Sequence, residues 1–137
     1  MAARVRPAMA AAGSFGLSKI GQIMVPVHDL ETAAGFYRDV LGMQMIQKVP
    51  TMAFFDCGGV TLMVDVPETP ELDHPGSIIY FRVDNIETAA KTLQSRGVRF
   101  DTEPHRVHRA ETYDLWMAFF RDLDGSVLAL MNEVPRK

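Results

Sequence analysis

The 137-residue chain has a single cysteine, Cys57, which excludes an internal disulfide and fits a reducing, cytoplasmic compartment. No apolar run approaches the length of a membrane span, so no membrane partner is expected. A basic excess is also missing. The 14 Lys and Arg stand against 17 Asp and Glu, a net charge of −3, which removes the electrostatic footprint of a nucleic-acid binder. Acidic residues are absent before Asp29. Within that stretch, residues 1–17 carry Arg4, Arg6 and many alanines but lack the long apolar core of a secretory signal. They are expected to form a flexible N-terminal extension. The remaining composition, 47% hydrophobic and 23% charged, is that of one globular domain with a real core.

The strongest pattern in the chain is a repeat. Val27-His28-Asp29-Leu30-Glu31-Thr32-Ala33-Ala34 returns 56 positions later as Val83-Asp84-Asn85-Ile86-Glu87-Thr88-Ala89-Ala90. Phe54-Phe55-Asp56-Cys57-Gly58-Gly59 is answered 66 positions later by Phe120-Arg121-Asp122-Leu123-Asp124-Gly125. Each half opens on a β-rich run, Ile20 to Val27 or Ser77 to Val83. Asp29 and Asn85 then suit helix N-caps. Leu30, Ala33, Ala34, Tyr37 and Leu41 follow at the spacing of one helix face, as do Ile86, Ala89, Ala90 and Leu93. Gly42 and Gly97 stop these helices. Three short strands follow each time: 43–48, 52–55 and 60–66, then 98–100, 115–120 and 127–131. Gly58-Gly59 and Asp124-Gly125 make the hairpin turns. The fold class is α+β, with two tandem βαβββ modules forming a curved mixed sheet around a cup and helices on the outer face. Module one spans 18–66, a Pro-rich linker 67–75, and module two 76–134, giving a single domain over 18–134.

The run from Val25 to Met43, VPVHDLETAAGFYRDVLGM, resembles the opening of vicinal-oxygen-chelate domains, the glyoxalase/bleomycin-resistance/dioxygenase superfamily. Phe119 to Leu130, FFRDLDGSVLAL, resembles their closing hairpin, with Leu123 and Ser126 where relatives carry Pro and Asn. The resemblance covers residues 18 to 134. It implies the fold, but it spans lyases, isomerases, dioxygenases and metal-free drug-binding proteins. It also implies a homodimer. Metal-dependent members hold an ion with four side chains, whose places here fall to Gln22, Met63, Ile78 and Ala129. Only Gln22 offers a suitable oxygen, so no divalent metal and no other cofactor is expected.

If Gln22 and Ile78 face the cup, strand alternation brings Met24, Tyr80 and Arg82 with them. Ala129 likewise brings Met131, and Met63 brings Asp65. The expected ligand-binding set is therefore Gln22, Met24, Met63, Ile78, Tyr80, Arg82, Ala129 and Met131. It suits a small organic molecule carrying one anionic or hydrogen-bonding group, with Asp65 a candidate partner for Arg82. An equally weighted alternative makes the methionines core filler. His28 and His74 read as solvated. His105 and His108 are expected in a loop between the second module's strands, read either as a solvated surface loop with Arg106 and Arg109 or as a cover over the cup, where with Asp114 and Tyr80 they are the candidate catalytic groups. Tyr113 and Trp116 read either as stacking groups or as a half-buried pair. Cys57 has no adjacent base and reads as a packed residue. Two functions stay open: a metal-free binding protein, or an enzyme of lyase, isomerase or dioxygenase type using non-standard cup residues.

Overall fold

The computed structural model describes residues 15–136, so most of the 1–17 extension lies outside the described residues. Two βαβββ modules follow. In the first, β1 (Gln22–Pro26) leads to α1 (Leu30–Gly35), β2 (Gln44–Val49), β3 (Met52–Cys57) and β4 (Val60–Asp65). In the second, β5 (Ile79–Arg82) leads to α2 (Ile86–Ser95), β6 (Phe100–Arg109), β7 (Tyr113–Arg121) and β8 (Val127–Pro135). Strand orders are β1-β4-β3-β2 and β5-β8-β7-β6, with the first strand parallel to the last in each sheet.

The repeat has a direct local cause. Asp29 accepts from the Thr32 amide at 3.2 Å, and Asn85 accepts from the Thr88 amide at 3.0 Å. Each cap satisfies an amide that the helix itself cannot. Leu30, Ala33 and Ala34 are buried under α1, as Ile86, Ala90 and Leu93 are under α2. The expected continuous helix to Gly42 differs in one respect. After Gly35 the chain widens into a π turn over Phe36–Val40, with the Leu41 amide donating to the Phe36 carbonyl at 3.0 Å. Phe36 and Tyr37 are both buried there, edge to face at 5.6 Å.

In each strand, alternate residues face the helix. Val25, Leu62, Val64, Ala53 and Phe55 do so in module one, and Leu128, Leu130, Ala118 and Phe120 in module two. These residues belong to one continuous core that both modules share. Since both helix-covered faces meet in that core, the two uncovered faces open on the opposite side. The modules are also joined by polar contacts. Tyr37 Oη donates to the buried Asp122 at 2.8 Å, and Arg96 Nη1 donates to the Val40 carbonyl at 3.0 Å.

The hairpins explain a small correction to the repeat. Gly58 and Gly59, with φ of 61° and 93°, form a two-residue turn between Cys57 and Val60. Module two closes instead through Leu123, Asp124 and Gly125, with the Asp122 amide bonded to the Ser126 carbonyl. One extra residue in that turn makes Phe54, Phe55 and Cys57 equivalent to Phe119, Phe120 and Asp122. The offset there is 65 rather than the 66 read from the sequence motif.

His28 clips three segments together. Its Nε2 lies 3.0 Å from Asp73 of the linker, and its Nδ1 lies 2.9 Å from Asp124 of the last turn. Two carboxylates on two ring nitrogens require the doubly protonated ring. Asp73 first, then Asp124, raises its pKa above the ordinary value of 6.5. The stabilisation is therefore full below about 6.5 and is lost as pH climbs through the higher folded-state value. An NMR titration is expected to place His28 above the ordinary value, and Asp73→Asn should lower it. A His28 titration unchanged by Asp73→Asn would refute the clip.

Candidate functional site

The uncovered faces are built in rows across the strands. In module one, Met24, Met63 and Phe54 are register neighbours on β1, β4 and β3. The equivalent row in module two is Tyr80, Ala129 and Phe119. Beside it run Arg82, Met131, Met117 and His105, and then Glu133, Leu115 and His108. The parity expected of Gln22, Met24, Met63, Tyr80, Arg82, Ala129 and Met131 is the parity observed. Ile78 immediately precedes β5 and is 40% exposed. Between the β1 and β5 edges lies a cleft of about 320 Å³ whose walls include Met24, Pro26 and Ile78.

The four positions at which related domains place metal ligands have specific surroundings here. Gln22 Nε2 lies 3.8 Å from Met63 Sδ, a weak donor–thioether contact. Ala129 is fully buried although it lies on the uncovered face. Its two cross-strand neighbours, Tyr80 and Phe119, meet edge to face at 6.0 Å and account for that cover. Where a ligating side chain would project, two aromatic rings close over a methyl group. One amide oxygen, one thioether and two hydrocarbon side chains do not form a divalent site. Among the described residues, no group of three or more His, Cys, Asp or Glu could hold a metal ion.

Several sequence expectations are corrected. His105 and His108 lie within β6 rather than in a loop, paired with Met117 and Leu115 on the uncovered face. Register shifts accommodate this polar, exposed edge strand and lengthen it well beyond the expected 98–100. His105 Nδ1 lies 2.8 Å from the Glu103 carbonyl, which orients its ring. Asp114 belongs to the opposite, helix-covered face, in phase with Trp116, Ala118 and Phe120. It sits 3.8 Å from Arg106 and 4.0 Å from Arg136, so it does not join the two histidines. Trp116 packs against the shared core and is not available to stack on a ligand from the cup.

Arg82 is on the expected face but is not a buried guanidinium awaiting an anion. Its side chain is 63% exposed and pairs with Glu133 at 3.3 Å, not with Asp65. An exposed pair of this kind contributes about 0–1 kcal/mol and anchors little. Cys57 is half-buried. Burial first, then Asp56, pushes its thiol pKa up, which favours the protonated form and slows its reaction at neutral pH.

The sequence reading passed over Phe54, Phe119, Met52, Met117 and Leu115, all on the uncovered faces. The signal was available for the first four: Phe54, Phe119, Met52 and Met117 stand opposite Met63, Ala129, Asp65 and Met131, strand positions already assigned to that face, and Leu115 follows by alternation from Met117. Together with Met24, Met63, Met131 and Tyr80 they form a soft, aromatic- and thioether-rich surface. Such side chains adapt to flat apolar ligands and make favourable sulfur–aromatic contacts.

The sequence model of the Glyoxalase/Bleomycin resistance protein/Dioxygenase superfamily matches residues 19–130. Mitochondrial methylmalonyl-CoA epimerase of Mus musculus is 31% identical over 99 residues, 61% of this chain and 56% of that protein. The chain thus spans little more than half the length of that relative. Among solved structures, lactoylglutathione lyase from Agrobacterium tumefaciens superposes with a TM-score of 0.69 at 22% identity, over 85% of this chain and 94% of that one. An antibiotic binding protein from a Streptomyces species gives 0.71 at 24% identity, over 88% and 99%. At these identities the superpositions speak to the fold.

Proposed function

Because the chain belongs to the glyoxalase/bleomycin resistance protein/dioxygenase superfamily, we propose that it binds a small organic molecule on the joined uncovered faces of its modules, without a resident metal. The observation that carries this reading is the closure of Tyr80 and Phe119 over the fully buried Ala129. That arrangement replaces a ligand position with an aromatic platform. Phe54 and the methionines extend the platform into module one. The same architecture in an antibiotic binding protein supports sequestration as a use for such a surface.

The preferred ligand is flat and largely apolar, with at most one polar group reaching Gln22, Arg82 or the β6 histidines. The protein acts as a homodimer, and its binding reaction needs no cofactor. The enzyme alternative has one observation in its favour: His105 and His108 share the ligand's face. It lacks the neighbouring Asp114 that would have completed a base–orienter pair.

A panel of aromatic small molecules, read by thermal shift and calorimetry with and without chelator, tests the proposal. Saturable binding should be indifferent to chelator. Tyr80→Ala and Phe119→Ala should each weaken it by roughly 10-fold, as expected for loss of about 1–2 kcal/mol of aromatic contact. Binding that appears only with a divalent ion, or turnover of the bound molecule, would displace this reading in favour of an enzyme.

A further inference from the structure

The two modules differ on their helix side, where one junction between them is filled and its pseudo-symmetric equivalent borders a cavity. At the filled junction Phe36 and Tyr37 insert from the end of α1, and the Tyr37 hydroxyl reaches Asp122 at 2.8 Å. The offset of 56 makes Thr92 and Leu93 of α2 the counterparts of Phe36 and Tyr37. The hairpin register makes Cys57 the counterpart of Asp122. Two aromatic rings and a carboxylate are thus replaced by a threonine, a leucine and a thiol. All three replacements line a cavity of about 340 Å³, which Phe81 and Ala89 also border.

The cavity has one charged group at its wall, Arg96. Its Nη1 donates to the Val40 carbonyl at 3.0 Å, which holds the guanidinium at the junction. Among the described residues Arg96 pairs with no carboxylate. A guanidinium carries five N–H donors, so most of its hydrogen-bonding capacity is left beyond that single bond, on a residue that is exposed. It stands where a ligand in the cavity could place an anionic end.

We propose that this helix-side junction is a second small-molecule site, separate from the cup, which takes an aryl carboxylate of one or two rings. The ring occupies the space that Phe36 and Tyr37 fill in the other junction, against Phe81, Leu93 and Cys57, and the carboxylate pairs with Arg96. The volume lies at the lower end of ordinary ligand pockets and exceeds a single phenyl ring, which suits a bicyclic probe. Occupation would complete the inter-module contact that the sequence leaves open, tightening the junction without touching Tyr80 or Phe119.

The probe is 2-naphthoate, followed by amide NMR on the full chain and by the reaction rate of the single thiol with a disulfide reagent. Saturable shifts are expected at Cys57, Phe81, Ala89 and Leu93, with several-fold slower thiol reaction. Arg96→Gln should weaken binding about 10-fold or more, and the neutral probe 2-naphthol should bind correspondingly less well. The double variant T92F/L93Y, which restores the aromatic pair, should remove binding. Tyr80→Ala should leave the affinity for 2-naphthoate, read at Ala89 and Leu93, unchanged, which separates this site from the cup. Absence of saturation, insensitivity to Arg96→Gln, or an affinity that falls with Tyr80→Ala would overturn the proposal. So would the same shifts on concentrating the protein without probe, since a second copy would then cover the junction.

Discussion

Asp122→Ala is expected to lower the free energy of unfolding by roughly 3–5 kcal/mol, among the largest effects of any single substitution outside the aromatic core. Asp122 is 6% exposed and accepts three hydrogen bonds. Its Oδ1 takes the Asp124 and Ser126 amides at 2.9 Å each, which shapes the closing turn. Its Oδ2 takes the Tyr37 hydroxyl at 2.8 Å, which ties that turn to the other module. Burial first, and then the Asp122 charge, drives the Tyr37 pKa far upward, so the phenol stays a donor at every accessible pH. Truncation to Ala strands a buried hydroxyl and two turn amides together. Asp122→Asn keeps an acceptor for the amides and should cost less, while Tyr37→Phe removes one bond and should cost about 1–3 kcal/mol. Denaturant unfolding of the three variants checks the order. A loss below about 1 kcal/mol for Asp122→Ala would mean that the turn and the inter-module tie do not depend on this carboxylate.

The second large effect concerns Ala129. Ala129→Glu, which places a carboxylate where metal-dependent relatives carry a ligand, is expected to destabilise the protein by roughly 3–5 kcal/mol. The position is fully buried between Tyr80 and Phe119, so the new charge must either displace both rings or remain unpaired. Adding Mn²⁺, Ni²⁺ or Zn²⁺ should not restore stability. The neighbouring family positions contribute one amide oxygen from Gln22, a thioether from Met63 and hydrocarbon from Ile78, too little to offset dehydration of a dication. Ala129→Ser, which adds one small polar atom, should cost far less. Thermal unfolding with and without metal decides the matter. A near-native Ala129→Glu variant with metal-dependent stabilisation would show that a metal site survives in latent form.

These two residues also show how unevenly the sequence could be read. Asp122 appeared in the repeat as part of a hairpin motif, and nothing in its neighbours marked it as a link to Tyr37, 85 positions away. Ala129 was placed on the cup face by strand parity, which is a local property. Its burial by Tyr80 and Phe119 required knowing which strands flank β8. His105 and His108 were misplaced because β6 is polar, exposed and irregular in register, and so lacks the alternation that identifies a half-buried strand. Asp114 was grouped with them on sequence proximity, but alternation in β7 turns it to the other side of the sheet.

The sequence by itself determined the two βαβββ units, the caps at Asp29 and Asn85, the glycine turns and the face to which most strand residues belong. Each of these follows from backbone geometry or from periodicity within a few residues. It also determined that the family's four ligand positions are chemically unsuited to a divalent ion, because that depends only on side-chain identity. Only the tertiary structure decided that Tyr80 and Phe119 cover Ala129, that Arg82 pairs with Glu133, and that His28 bridges Asp73 and Asp124. It alone distinguished a junction filled by Phe36 and Tyr37 from one left open at Thr92 and Leu93. Those outcomes depend on which distant strands and turns become neighbours, and on side-chain volumes summed across two modules. No local pattern encodes that sum.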